Sequence, residues 1–99
     1  MNNIDKNATY FCYDAYSTAG RPKMEAELFD WARTLVLYRT IKGDFVDDLV
    51  ADLWHRQEFL MQDHRNWKPT RIDYRGDVDL FWLNIGETHL SFRRVLGAY

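Results

Sequence analysis

The chain has 99 residues, a net charge of −2 and one cysteine, Cys12. That length suits a single domain with one core. The near-neutral charge argues against a general nucleic-acid binder and against a strongly acidic DNA mimic, and a lone cysteine excludes an internal disulfide and a cysteine-based zinc site.

A lone thiol suits a reducing, cytoplasmic setting. No window approaches the ~20 apolar residues of a membrane span, and Met1–Asn7 lacks an apolar signal core. Four Trp, six Tyr and six Phe are enough to fill a small core and leave some rings for a binding surface.

In chain order, residues 1–20 are expected to form an N-terminal arm and 21–99 one helical domain. Within the arm, Tyr10 to Tyr16 has strand propensity and suits a short strand or an irregular segment lying on the core. Ser17 to Pro22 reads as a turn, with Pro22 at a first helical position. Met24, Leu28, Trp31, Leu35 and Tyr38 recur at helical spacing and predict an amphipathic helix, widened by Ala32 and Ile41 and ended by Lys42-Gly43. Asp44 is placed to cap a second helix, whose apolar side is Val46, Leu49, Val50, Leu53, Gln57 and Leu60, flanked by Trp54 and Met61.

Residues 64–76 read as a loop, because Pro69 cannot continue a helix, and Asp77 is placed to cap the next helix. The last segment supports two patterns. Trp82, Ile85, His89, Phe92, Leu96 and Tyr99 keep helical spacing, whereas Thr88, Leu90 and Phe92 alternate with His89, Ser91 and Arg93 as in a strand. Two short helices, 78–85 and 88–96, are the preferred reading. The expected fold is therefore an all-α compact bundle of about four short helices, with an α+β fold carrying a C-terminal hairpin as the alternative.

No catalytic constellation accompanies this pattern. His55, His64 and His89 lack the spacing of a ligand set, and no nucleophile motif surrounds Cys12. Phosphate loops, dinucleotide glycine patterns and nucleophile elbows are absent. A non-enzymatic protein without metal or cofactor is expected. Charge is unevenly distributed. Residues 44–63 hold Asp44, Asp47, Asp48, Asp52, Glu58 and Asp63 against Arg56, a net −5. Residues 64–99 hold Arg65, Lys68, Arg71, Arg75, Arg93 and Arg94 against four acids, a net +2. An acidic second helix makes a poor DNA-reading helix.

Phe29-Asp30-Trp31 with Leu35 and Tyr38-Arg39, then Gly43-Asp44-Phe45 with Asp48 and Asp52, then Phe92 to Tyr99, together resemble the YozE-like, sterile-alpha-motif-like small helical proteins of bacteria and phages. The resemblance spans roughly residues 28–99. It implies a compact bundle of about four helices similar in shape to interaction domains; the family has no established activity, so the resemblance supplies a fold and little function.

These features point to a small cytoplasmic module of bacterial or phage origin that recognises another protein. Asp47, Asp48 and Asp52 would meet a basic partner, and the rings of Trp54, Trp67 and Tyr74 would supply contact area. The alternatives are nucleic-acid binding through a basic loop and C-terminal helix (Lys68, Arg71, Arg75, Arg93, Arg94) and inhibition of a host defence complex by a phage protein. Self-association is compatible with all three.

Overall fold

The computed structural model of the chain describes residues 4–17, 23–63 and 69–96. The elements are β1 (Thr9–Ser17), α1 (Lys23–Val36), β2 (Thr40–Lys42), α2 (Val46–Leu60), β3 (Ile72–Gly76), β4 (Leu80–Ile85) and β5 (Thr88–Arg94), with one 3₁₀ turn before α2 (Gly43–Phe45) and one after it (Met61–Asp63). The strands form one antiparallel sheet in the order β2-β1-β5-β4-β3. The fold is α+β. The all-α bundle is overturned, and with it the four-helix architecture implied by the YozE-like resemblance.

The C-terminal half accounts for most of the difference. Residues 78–96 hold no helices; β4 and β5 form a hairpin closed by Gly86-Glu87. Gly86 has φ 58°, the positive value required at the first central position of a type II′ turn. Phe81, Leu83 and Ile85 alternate with Leu80, Trp82 and Asn84. Thr88, Leu90 and Phe92 alternate with His89, Ser91 and Arg93. In both strands the first set faces the core. Asp77 caps no helix. Its Oδ1 accepts hydrogen bonds from the amides of Asp79 (2.9 Å) and Leu80 (3.1 Å) and shapes the β3–β4 turn. The expected loop is a strand from Ile72 to Gly76.

The first helix is shorter than its periodicity suggested. It stops at Val36, and Tyr38 takes a left-handed conformation (φ 61°). The Tyr38 amide donates to the Cys12 carbonyl (2.8 Å) and the Cys12 amide to the Arg39 carbonyl (3.0 Å). Those bonds turn the chain into β2, so Ile41 belongs to a strand opposite Tyr10. The buried stripe of α1 is Leu28, Ala32 and Val36, with Phe29 beside it. Leu35 and Tyr38, expected in the stripe, are exposed. Asp44 lies in the 3₁₀ turn, and no side chain caps α2. Gly43 has a different reason to be glycine: a Cβ there would lie 2.0 Å from the Asp5 carbonyl oxygen, so only a residue without one lets the two backbones meet.

β1 lies inside the sheet, between β2 and β5, and is not an arm on a helical core. Both helices cover one face of the sheet. Leu28, Ala32, Val36, Val46, Leu49 and Leu53 form one cluster with Tyr10, Cys12, Phe81, Leu83, Leu90 and Phe92. Phe81 joins the rings, stacking on Phe92 (4.9 Å between centroids) and meeting Tyr10 edge-on (5.0 Å). Expectations for 18–22, 64–68 and 97–99, including the turn through Pro22, His64, Trp67, Lys68 and Tyr99, lie outside the described residues, as does the side chain of Met24. Among the described residues no helix is long and apolar enough to cross a membrane.

Candidate functional site

Helix α2 runs antiparallel to the strand after it, and one side chain holds the two together. Val46, Leu49, Leu53 and Gln57 are its buried residues; three are apolar, and the fourth, Gln57, is wholly buried. The Gln57 Nε2 donates to the Thr70 carbonyl (2.9 Å) and its Oε1 accepts from the Thr70 amide (2.8 Å). A glutamine side chain sets an N–H donor beside a C=O acceptor, so one of its two N–H groups and its oxygen pair with the Thr70 carbonyl and amide as a neighbouring strand would. This clamp sets residues 69–72 beside α2.

Between them lies an open groove of about 470 Å³, lined by Asp47, Val50, Ala51, Trp54, His55, Pro69, Arg71 and Ile72. Val50, Trp54, Pro69 and Ile72 make its surface largely apolar. Trp54 is 37% exposed, a large ring held half out of the core. Asp47 stands at one end. It is 3.9 Å from the Lys6 ammonium, but both side chains are exposed, so water weakens that pair. Asp48 and Asp52 are exposed on the same helix. At the other side, Arg71 Nε donates to Asp73 Oδ1 (3.0 Å).

Tyr74 lies next to this end. Its hydroxyl oxygen is buried, and among the described residues Asp47 is the acceptor nearest to taking its proton, short of full hydrogen-bond geometry. Burial first, and then the negative charge of Asp47 beside it, push the phenol up to about 12. It stays a protonated donor facing a carboxylate.

Of the expected protein-binding residues, Asp47 and Trp54 share the groove, and Tyr74 borders it as a half-buried ring, not an exposed one. Asp48 and Asp52 lie on the outer surface of α2, and Trp67 is outside the described residues. The expected basic set is dispersed. Arg71 lines the groove, and Arg75 and Arg93 are exposed on the helix-free face of the sheet. Arg94 is tied to Asp5 (3.3 Å) and Asp79 (3.5 Å). No C-terminal helix gathers them. Val50 and Ile72, the apolar walls, carried no sign of a site in the sequence; a pairing between α2 and a strand downstream is needed to find them.

The helix-free face has its own pattern. By strand alternation it presents Phe11, Tyr16, Trp82, His89, Arg75 and Arg93. Arg93 lies over the Phe11 ring (5.3 Å) and Tyr16 stacks on His89 (4.9 Å). His89 Nδ1 is 2.6 Å from Asn84 Oδ1. Cys12, by contrast, is buried on the core side, with its thiol pushed up to about 11 by burial. Among the described residues, His, Cys, Asp and Glu nowhere gather in threes as a metal centre requires. No family model, curated protein or solved structure matches the chain.

Proposed function

We propose that this protein is a non-enzymatic binding module whose α2–β3 groove receives a segment of another protein. The observation that carries this reading is an apolar groove, walled by a half-exposed Trp54 and ended by the carboxylate of Asp47, with Asp48 and Asp52 exposed on the same helix. Aromatic side chains in half-open apolar pockets are the usual anchors of protein interfaces. Surrounding acids favour partners with basic side chains and disfavour acidic ones. The test compares partners retained by the wild-type chain with those retained by Trp54→Ala and by Asp47→Asn/Asp48→Asn. Loss of the same partner from both variants, with folding intact by circular dichroism, is expected. An unchanged set of partners would refute the groove.

A second reading comes from the helix-free face, where Phe11, Tyr16 and Trp82 alternate with Arg75 and Arg93. Rings interleaved with bases are how single-stranded nucleic acid is held without sequence readout. This reading predicts weak oligonucleotide binding that fades with salt and is lost in Trp82→Ala. It is the weaker of the two because Asp14 and Asp73 stand on the same face.

A further inference from the structure

β3 is an edge strand, and the register of the sheet fixes which of its backbone groups face outward. In an antiparallel ladder, opposed residues alternate between pairs that exchange hydrogen bonds and pairs that do not. Two bonds just beyond the strands set that alternation. The Asp77 amide donates to the Leu80 carbonyl (2.9 Å), and the Arg94 amide to the Asp79 carbonyl (2.8 Å). The first makes Asp77–Leu80 a bonded pair, so Arg75–Trp82 and Asp73–Asn84 are bonded pairs as well. The second makes Phe81, Leu83 and Ile85 turn their polar groups to β5, which leaves Trp82 and Asn84 for β3. The two agree. The N–H and C=O groups of Ile72, Tyr74 and Gly76 therefore point away from the sheet. Among the described residues no strand pairs with them.

The same parity governs side chains. Ile72 and Tyr74 pack on the core side, where α2 lies. A strand added beside β3 would place the residues opposite Ile72 and Tyr74 on that side too. The residue opposite Ile72 would enter the groove among Val50, Trp54 and Pro69. The residue opposite Tyr74 would reach Asp47, since α2 runs antiparallel to this stretch, with Asp47 near Tyr74 and Gln57 at Thr70. The open edge and the groove are thus two halves of one surface.

We propose that the partner binds by strand addition, an inference that rests on the groove being the binding site. The partner would be an extended segment with an apolar side chain and, two residues away, a lysine or arginine, hydrogen-bonded to Ile72, Tyr74 and Gly76. Charge supports this occupant: the helix beside the edge is acidic, with Asp47, Asp48 and Asp52 all exposed. Strand addition draws affinity from the main chain and specificity from alternate side chains.

The test uses synthetic nine-residue peptides with threonine at every odd position and valine (or leucine) and lysine alternating at the even positions, so that an apolar and a basic side chain stand two residues apart on one face, and a control set of the same composition arranged with helical spacing. Amide hydrogen exchange is measured residue by residue. In the free chain Ile72, Tyr74 and Gly76 should exchange fast and Asp73 and Arg75 slowly. The alternating peptides should slow the first three at least tenfold, bind less in Asp47→Asn, and lose binding when N-methylated on the edge-facing amides only.

Binding that leaves those three amides unprotected, or that tolerates N-methylation on both sides, overturns strand addition while the groove stands. Absence of binding by every alternating peptide also overturns it. If Trp54→Ala then retains its cellular partners as well, the groove reading falls too. Protection of the three amides without peptide, with a doubled mass in sedimentation, would replace the partner strand by the β3 of a second copy.

Discussion

The Gln57 clamp is the place where a single change should expose how the site is built. Gln57→Ala removes both hydrogen bonds to Thr70, each worth about 1 kcal/mol net. It also removes buried methylene surface at about 0.8 kcal/mol per group. Thr70 is only half-buried, so water can reach part of its freed peptide and the full desolvation penalty does not apply. The expected cost is therefore about 2–3 kcal/mol. Gln57→Glu separates the two bonds. Its carboxylate can still accept from the Thr70 amide, but it repels the Thr70 carbonyl and is buried. Both effects raise the folded-state pKa above the unfolded value of about 4.3. The deficit of this variant should then be small below that value and grow as pH rises through it, because the unfolded chain releases the proton first. Urea titrations monitored by tryptophan fluorescence at several pH values read both quantities, and exchange at the Thr70 amide reports the local opening. A Gln57→Ala cost below 1 kcal/mol, or a Gln57→Glu deficit independent of pH, would refute the clamp.

Gly43→Ala should destabilise by at least about 2 kcal/mol in a thermal melt, since its Cβ would lie 2.0 Å from backbone and no side-chain rotation can relieve that. Tyr38→Gly should leave stability unchanged or raise it by up to about 1 kcal/mol, because glycine adopts the left-handed conformation without cost and Tyr38 is 70% exposed. The Cys12 thiol, raised from 9.0 to about 11, should resist thiol reagents near neutral pH in the native state and react on unfolding. Because the folded value is the higher one, its contribution to stability is constant below pH 9.0 and falls as pH rises toward 11; a Cys12→Ala variant should show a flatter alkaline limb.

Where local pattern and tertiary structure agree, the sequence was legible. The apolar side of α2 is buried at Val46, Leu49, Leu53 and Gln57, and half-buried at Val50 and Leu60. The end of α1 was not legible, because its left-handed stop is made by Tyr38, where glycine would have announced it. With no visible stop, the 3–4 spacing ran on through Ile41, which is a strand residue. The C-terminal hairpin was ambiguous for a related reason. Trp82, Ile85, His89 and Phe92 fit helical spacing by coincidence, since the first and third of them lie on one face of the sheet and the others on the opposite face. Alternation was the physical signal, and Gly86 marked the reversal between two alternating runs. The groove needed more than either pattern. Its walls come from α2 and from residues 69–72, which sequence places in a loop and Gln57 brings together.

The fold also explains the uneven charge of the chain. Residues 44–63 carry six of the fifteen acids, and α2 turns Asp47, Asp48, Asp52 and Glu58 to solvent on the helical side. Arg75 and Arg93 belong to the opposite side, where strand alternation aims them away from the core. Net charge alone, at −2, hides this polarity. A basic segment approaching at moderate salt is drawn to the helical side, within a Debye length of ~10 Å at 0.1 M ionic strength, whereas on the sheet side Asp14 and Asp73 offset Arg75 and Arg93. The acidic side is also the one that carries the apolar groove and borders the β3 edge, which no strand among the described residues covers. Long-range attraction, apolar burial and unpaired backbone groups thus favour the same extended, basic-apolar segment. Each can be removed separately: the attraction by salt, the burial by Trp54→Ala, and the backbone pairing by N-methylation of the peptide. Salt should slow association while leaving dissociation nearly unchanged, whereas the other two should speed dissociation. The opposite assignment of rates would show that charge acts inside the groove and not around it.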